Sequence, residues 1–547
     1  MCKFKAFQVV VILSYAVWFL IPPDSGVFGQ DRQGLFGGIR EKLKEDEKQE
    51  ENSPAAGTYE KGIDALDQGN VDEAIKLFTQ AIKLDPQYAP AYCDRGLALV
   101  MKGEPDRAIA DLTTAIRLEP DGARSYFNRG FAYFHKGDHE KAVADYTEAI
   151  RLFPKYAAAY RDRGFVLMAM GETGRAFEDL NVAVRLAPGD PASFVSRGKA
   201  FAELGKWDRA VADFSQAVKL DPQDPDTWCE RGNALAMKGD YDRALSDLQR
   251  AVKLAPDDPV ARFTRGFAFR KKGDLEKAMA DFDEAVRLDP EFGEAYRERG
   301  CVWADNGNMD KALGELNRAV KLHPDDYEAL LRRGEVLAQR GDQARAIADY
   351  DSALRLYPIF AEAYFRRAMA RLAEGKAAEA LSDYSALVRI DPRKPDEYRN
   401  WGRPVERDQR GKAVDYFEKT LEAARPEAEK LSREGVELHK SGELDKAIEF
   451  YNKALILYPR FTEVYYNRGL ARRTLDDVEG AIGDYTRAIR LEPRYVPAYS
   501  NRGFAYYKLG ELDLALADFE RILEIDPNNA DAKKSREVIL KARGGGQ

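Results

Sequence analysis

The sequence predicts an all-α protein built as a solenoid of stacked helical hairpins. Three observations carry this. A proline recurs every 34 residues, at Pro86, Pro120, Pro154, Pro188, Pro222, Pro256, Pro290, Pro324, Pro358 and Pro392, and the beat returns at Pro459, Pro493 and Pro527. A glycine stands 24 residues before the early prolines, from Gly62, Gly96 and Gly130 to Gly334, and an alanine 12 before, as at Ala74, Ala108 and Ala142. Between these marks apolar residues recur at helical spacing, as in RAIADLTTAIRLEP. A fixed period of this length is the mark of a repeat array.

The elements follow in order. Residues 1–29 open with Lys3 and Lys5, continue through an apolar run from Ala6 to Ile21, and end in Val27-Phe28-Gly29. This is the layout of a secretory signal peptide. The apolar run is slightly short for a spanning helix. The alternative is an uncleaved N-terminal anchor, with membrane attachment through residues 6–21. Either way the basic start stays inside and the rest is exported. Residues 30–57 are charged and, after Leu43, nearly free of large apolar side chains, so they read as a flexible linker.

Each later unit reads as helix, tight turn, helix, with the proline ending the second helix. A second glycine marks the turn, at Gly69, Gly103, Gly137, Gly171 and Gly205. Glycine inside a helix costs about 1 kcal/mol against alanine, so the recurring helical glycine predicts close approach of the paired helix. A hairpin cannot bury both faces alone, and the units must stack.

Numbered so that the proline is position 32, most units have Gly at 8, Ala at 20 and Ala at 27, and many have Tyr or Phe at 24. In these residues the chain resembles the tetratricopeptide repeat family, over about Thr58 to Pro527. The resemblance implies a right-handed superhelix with a concave groove. It divides the chain into a first array of ten repeats (58–394), a degenerate repeat (395–427), a second array of three repeats (428–529) and a capping helix with tail (530–547).

Two columns vary together. Position 7 is Arg in eleven units, at every 34th residue from Arg95 to Arg367 and again at Arg468 and Arg502. Position 23 is acidic in the same eleven, from Asp111 to Asp383, with Glu315 among them, then Asp484 and Asp518. The three units without the Arg also lack the acid: Lys61 with Leu77, Trp401 with Phe417, Glu434 with Phe450. The joint loss predicts contact within one hairpin; shared descent of copied repeats is the alternative.

The degenerate repeat carries WGRPVERDQRG from Trp401 to Gly411. Pro404 falls where a helix should run, and the turn glycine is displaced to Gly411. Trp401, Pro404 and Gly411 therefore mark a candidate joint between two arrays. Plain repeat decay without a bend is the alternative.

Positions 5, 9 and 12 form a stripe beside the packing stripe. In the early units it is apolar, with Cys93, Leu97, Phe127, Phe131, Phe134, Phe165 and Met168 as a candidate peptide-binding groove. Packing against the next hairpin is the competing reading. Family members that clamp a carboxylate use Lys at 5 and Asn at 9, where this chain has Tyr59 and Ile63, so that activity is not expected.

The chain carries a net charge of −8, with 33% charged residues of both signs interspersed. That does not favour nucleic acid. The four cysteines are far apart and form neither a disulfide framework nor a metal motif. His135 and His139 flank Gly137, which reads as a turn rather than a metal site. No phosphate loop or nucleophile signature is present, so no enzyme activity, cofactor or small-molecule substrate is expected. The family resemblance implies a scaffold of exported bacterial type, binding other proteins in the periplasm or cell envelope. The alternatives are a chaperone-like assembly or secretion factor for outer-membrane or exported clients, and an adaptor held by an uncleaved anchor.

Overall fold

The computed structural model describes residues 53–392, 395–400 and 407–544. Among them are 28 helices and no strand. Two compact units divide at Glu298 and Arg299. Most of residues 1–57, including the signal or anchor, lie outside the described residues, as do Trp401 and Pro404. No helix among the described residues is long and apolar enough to cross a membrane. The array begins with the helix Ala56–Asp67, two residues ahead of the expected boundary at Thr58.

One repeat shows how sequence becomes hairpin. The first helix Pro191–Glu203 starts on Asp190, whose carboxylate accepts from the amides of Ala192 and Ser193, satisfying donors that the helix leaves open. Gly205 then turns the chain at φ +66, a conformation that side chains disfavour. The second helix Trp207–Leu220 ends at Asp221, which is extended (φ −129, ψ 92). Pro222 follows, and a residue before proline is driven out of the helical region. Twelve turn glycines share the positive φ; in the repeat beginning at Thr462, Asp476 takes it instead (φ 65).

The glycine at position 8 is there for space. A Cβ added to Gly198 would lie 2.8 Å from the ring of Phe214, one added to Gly334 2.5 Å from Tyr350, and one added to Gly96 2.6 Å from Leu112. The alanines at positions 20 and 27, such as Ala210 and Ala217, are fully buried with Phe214 between them. Small residues on one helix thus receive a large one from its partner.

The pattern breaks after Asp391. A five-residue helix, Pro395–Arg399, stands where a full first helix is expected. Then a single helix of 34 residues runs Arg407–Lys440. It fuses the second helix of the degenerate repeat with the first helix of the next one, across the expected boundary at 427/428. Gly411 is therefore a residue inside a helix, not a displaced turn. Pro426 keeps the 34-residue beat after Pro392, yet lies within this helix. The degenerate repeat is one residue short, and the strong helix formers of EAEK follow its proline. Loss of one loop residue lets the helix continue, although Pro426 cannot donate to the ladder. The last helix, Ala530–Gly544, buries Ala532 and Ile539 and leaves Val538 and Leu540 exposed.

Candidate functional site

Each arginine at position 7 finds the acid at position 23 of its own hairpin. Nε and Nη2 grip the carboxylate in all eleven cases, Arg95 to Asp111, Arg129 to Asp145, Arg163 to Asp179 and Arg197 to Asp213 among them. Two parallel donors on one carboxylate are the strong form of this contact. The remaining nitrogen, Nη1, reaches back to position 25 of the preceding repeat. It donates to Thr79, Thr113, Thr147, Asn181, Ser215 and Gln249 in the first unit, at 2.8–3.4 Å. Asn317, Asp351, Asn452 and Thr486 accept in the same way in the second. One guanidinium therefore closes its own hairpin and pins it to its neighbour. The acceptor column escapes a search for identity because its residues differ; all of them carry an oxygen, and that was the available signal.

The first helices of successive repeats line a second face, and there the predicted groove residues fall into two groups. Cys93, Leu97, Phe127 and Met168 are buried. Phe127 packs 4.9 Å from the Tyr156 ring and 5.6 Å from Tyr146. Cys93 accepts from the Asn128 amide at 3.3 Å, and burial pushes its thiol up to about 11. All four are buried, and the Asn128–Cys93 contact joins neighbouring hairpins. Phe131, Phe134 and Phe165 are only partly buried. The Phe134 and Phe165 rings meet edge to face at 5.7 Å, and Phe131 lies 4.4 Å from the ring of His135. Burial lowers the His135 pKa. Gly137, at φ +83, makes the turn between His135 and His139.

The same face carries polar contacts that the sequence reading missed. The Tyr59 hydroxyl donates to Asp94 at 2.6 Å, and Arg124 pairs with the other Asp94 oxygen. Three consecutive repeats are thus joined by one fully buried carboxylate. Burial, with Asp94 adding to it, raises the Tyr59 pKa well above the usual phenol range. Further along, Lys199 pairs with Glu230 at 3.1 Å and Arg270 with Glu298 at 2.9 Å. In the second unit Arg332 and Arg366 interlock with Glu335 and Glu362 at 2.8–3.6 Å. Asp94 stands 35 residues from Tyr59 and 30 before Arg124, a spacing that only the stacking of first helices makes meaningful. Among the described residues no group of three or more acids, histidines or cysteines is placed to hold a metal ion.

A tetratricopeptide repeat family model matches residues 93–156, 137–191, 195–259, 263–327, 304–358 and 331–395, which together span more than half of the chain. The chain belongs to the tetratricopeptide repeat family. Related repeat models match residues 65–103, 435–476 and 471–510 and 496–529. No curated protein matches the chain. Among solved structures, a tetratricopeptide repeat protein from Parabacteroides merdae is 19% identical, with a TM-score of 0.36, over 43% of this chain and 93% of its own. TTC0263 of Thermus thermophilus is 27% identical over 33% of this chain and 99% of its own, at a TM-score of 0.32. YrrB, described as a TPR protein with an unusual peptide-binding site, is 27% identical over 34% of this chain and 95% of its own, at 0.28. In this tetratricopeptide repeat chain the arginine ladder closes each hairpin and ties it to the one before.

Proposed function

We propose that this chain is a non-enzymatic scaffold that binds partner proteins or peptides along the face lined by its first helices. Membership of the repeat family supports a role in protein–protein interaction. The observation that carries the choice of face is the partly exposed aromatic group Phe131, Phe134 and Phe165. It lies beside a ladder of ion pairs whose members are already matched. An apolar side chain of a partner gains area burial there, while matched charges reject a misplaced one. A cross-linked pull-down comparing wild type with Phe131→Glu plus Phe165→Glu tests this, with circular dichroism confirming that the variant is helical. Loss of a discrete partner from the folded variant supports the face; unchanged partners count against it. Many unfolded clients in place of a fixed partner would favour the chaperone-like reading. Export to the cell envelope is part of the proposal and rests on the basic and apolar start of residues 1–29. N-terminal sequencing of the mature protein separates a cleaved signal from an anchor, and an intact start in a soluble fraction would refute both.

A further inference from the structure

The second unit contains a cationic cavity in which one ladder arginine, Arg468, meets three arginines that stand outside the ladder. It is about 320 Å³ and is lined by Tyr364, Arg389, Tyr465, Arg468, Arg472 and Arg487, with Ala386 and Ile390. Arg389 ends the helix Ala377–Ile390. The other arginines come from the hairpin Thr462–Thr474 and Val478–Leu491. The long helix Arg407–Lys440 is what returns the chain here, so residues almost 100 apart share one site. Arg487 Nε donates to the Arg389 carbonyl at 2.8 Å, and its Nη1 to the Gly483 carbonyl at 3.2 Å.

The charges do not balance. Arg468 and Arg472 share Asp484, and Arg472 also reaches Asp477 at 3.6 Å. Arg389 and Arg487 have no carboxylate partner among the described residues. Four guanidinium groups thus face two carboxylates, leaving two positive charges. Burial, with Arg468 adding to it, lowers the Arg389 pKa. Tyr465 is 1% exposed, and its hydroxyl has no hydrogen-bond partner. A buried donor left open and a surplus of two charges both ask for a doubly charged acceptor.

We propose that this cavity binds a phosphate dianion, either free or as the phosphoryl group of a small phosphomonoester. Arginine forks match tetrahedral oxyanions, and a dianion cancels the surplus where a monocarboxylate would leave half of it. A water molecule occupies about 30 Å³, so the cavity has room for more than the phosphoryl group.

The test is calorimetric titration of the full chain at constant ionic strength with inorganic phosphate, glycerol phosphate and acetate. Saturable binding of phosphate, with acetate at least tenfold weaker, is expected. Tighter binding of glycerol phosphate assigns the site to a phosphomonoester, and equal or weaker binding to the free ion. Arg389→Gln should weaken phosphate at least tenfold and raise the melting temperature in phosphate-free buffer, because it removes an uncompensated charge. Arg487→Lys keeps the charge and loses the fork, and is the second variant should the first misfold. Arg490→Gln, exposed on the same helix, is the control and should leave binding unchanged. Absence of saturable binding, or identical affinities in wild type and both cavity variants, overturns the assignment.

Discussion

Arg197 and Asp213 stand 16 residues apart on the two helices of one hairpin, and the guanidinium holds both carboxylate oxygens, at 2.8 Å through Nε and 2.7 Å through Nη2. Its third nitrogen donates to Asn181 of the preceding repeat at 2.9 Å. Asp213 is only 6% exposed, so the pair behaves as a buried contact rather than a surface one. Reversing either charge alone should cost about 1–3 kcal/mol, the penalty for a buried group left without its partner. The double reversal should recover part of that loss in urea denaturation. Equal loss in the double variant would assign the recurring spacing to shared descent of the repeats alone.

Glycine at position 8 and glycine elsewhere should respond oppositely to alanine. Gly198→Ala places a Cβ 2.8 Å from the Phe214 ring and should destabilise by about 1–3 kcal/mol through overpacking. Gly314 also lies in a helix, Met309–Leu322, but a Cβ there meets nothing within 4 Å. Gly314→Ala should therefore stabilise by about 0.5–1 kcal/mol. Thermal melts of the two variants in one buffer decide it, and a shift of the same sign in both would refute the packing argument.

Glu203 gives the chain a stability that falls with rising pH. Burial raises its carboxyl from 4.5 to about 7. The folded state then binds the proton more tightly than the unfolded one. No penalty is present below pH 4.5; it grows between 4.5 and 7, and is complete above 7. Glu203→Gln should thus be on the order of 1–2 kcal/mol more stable than wild type at pH 8, after allowance for partial exposure, and equal to it at pH 4. A constant difference between the two across this range would show that Glu203 is solvated in both states.

Glu418 fastens the long helix on both sides. Tyr384 donates to its carboxylate at 2.5 Å, and Arg460 forks onto it at 2.9 and 2.6 Å. Glu418→Ala leaves Arg460 without its carboxylate and should cost about 1–3 kcal/mol. Amide exchange should quicken in the helix Arg407–Lys440 and in Leu444–Leu457 before it does in Pro191–Glu203. Unchanged exchange in the long helix would mean that its apolar contacts alone, through Phe417 and Leu421, hold it.

Much of the fold is legible in the chain because the repeat is local. Proline at 32, glycine at 8 and at the turn, and alanine at 20 act within one hairpin, so most of the other units repeat the evidence for each. The Arg197–Asp213 contact was legible for the same reason: both residues vanish together in three repeats. The long helix was not legible: Pro426 keeps the period, yet the degenerate repeat is one residue short and the helix Arg407–Lys440 runs through it. The groove was half legible. Helical spacing places Phe127 and Phe131 on the same stripe of one helix, yet it cannot say that Tyr156 of the same hairpin packs on the first.

What the sequence determined by itself is the hairpin: its helices, its turn, its small-into-large packing and the arginine that closes it, since all of these act across at most about one period of chain. What only the tertiary structure decided is where distant surfaces meet. The charge surplus around Arg389 and Arg487, 98 residues apart in the chain, exists because the long helix Arg407–Lys440 brings them together, and electrostatic energy depends on distance in space, which no period in the sequence records.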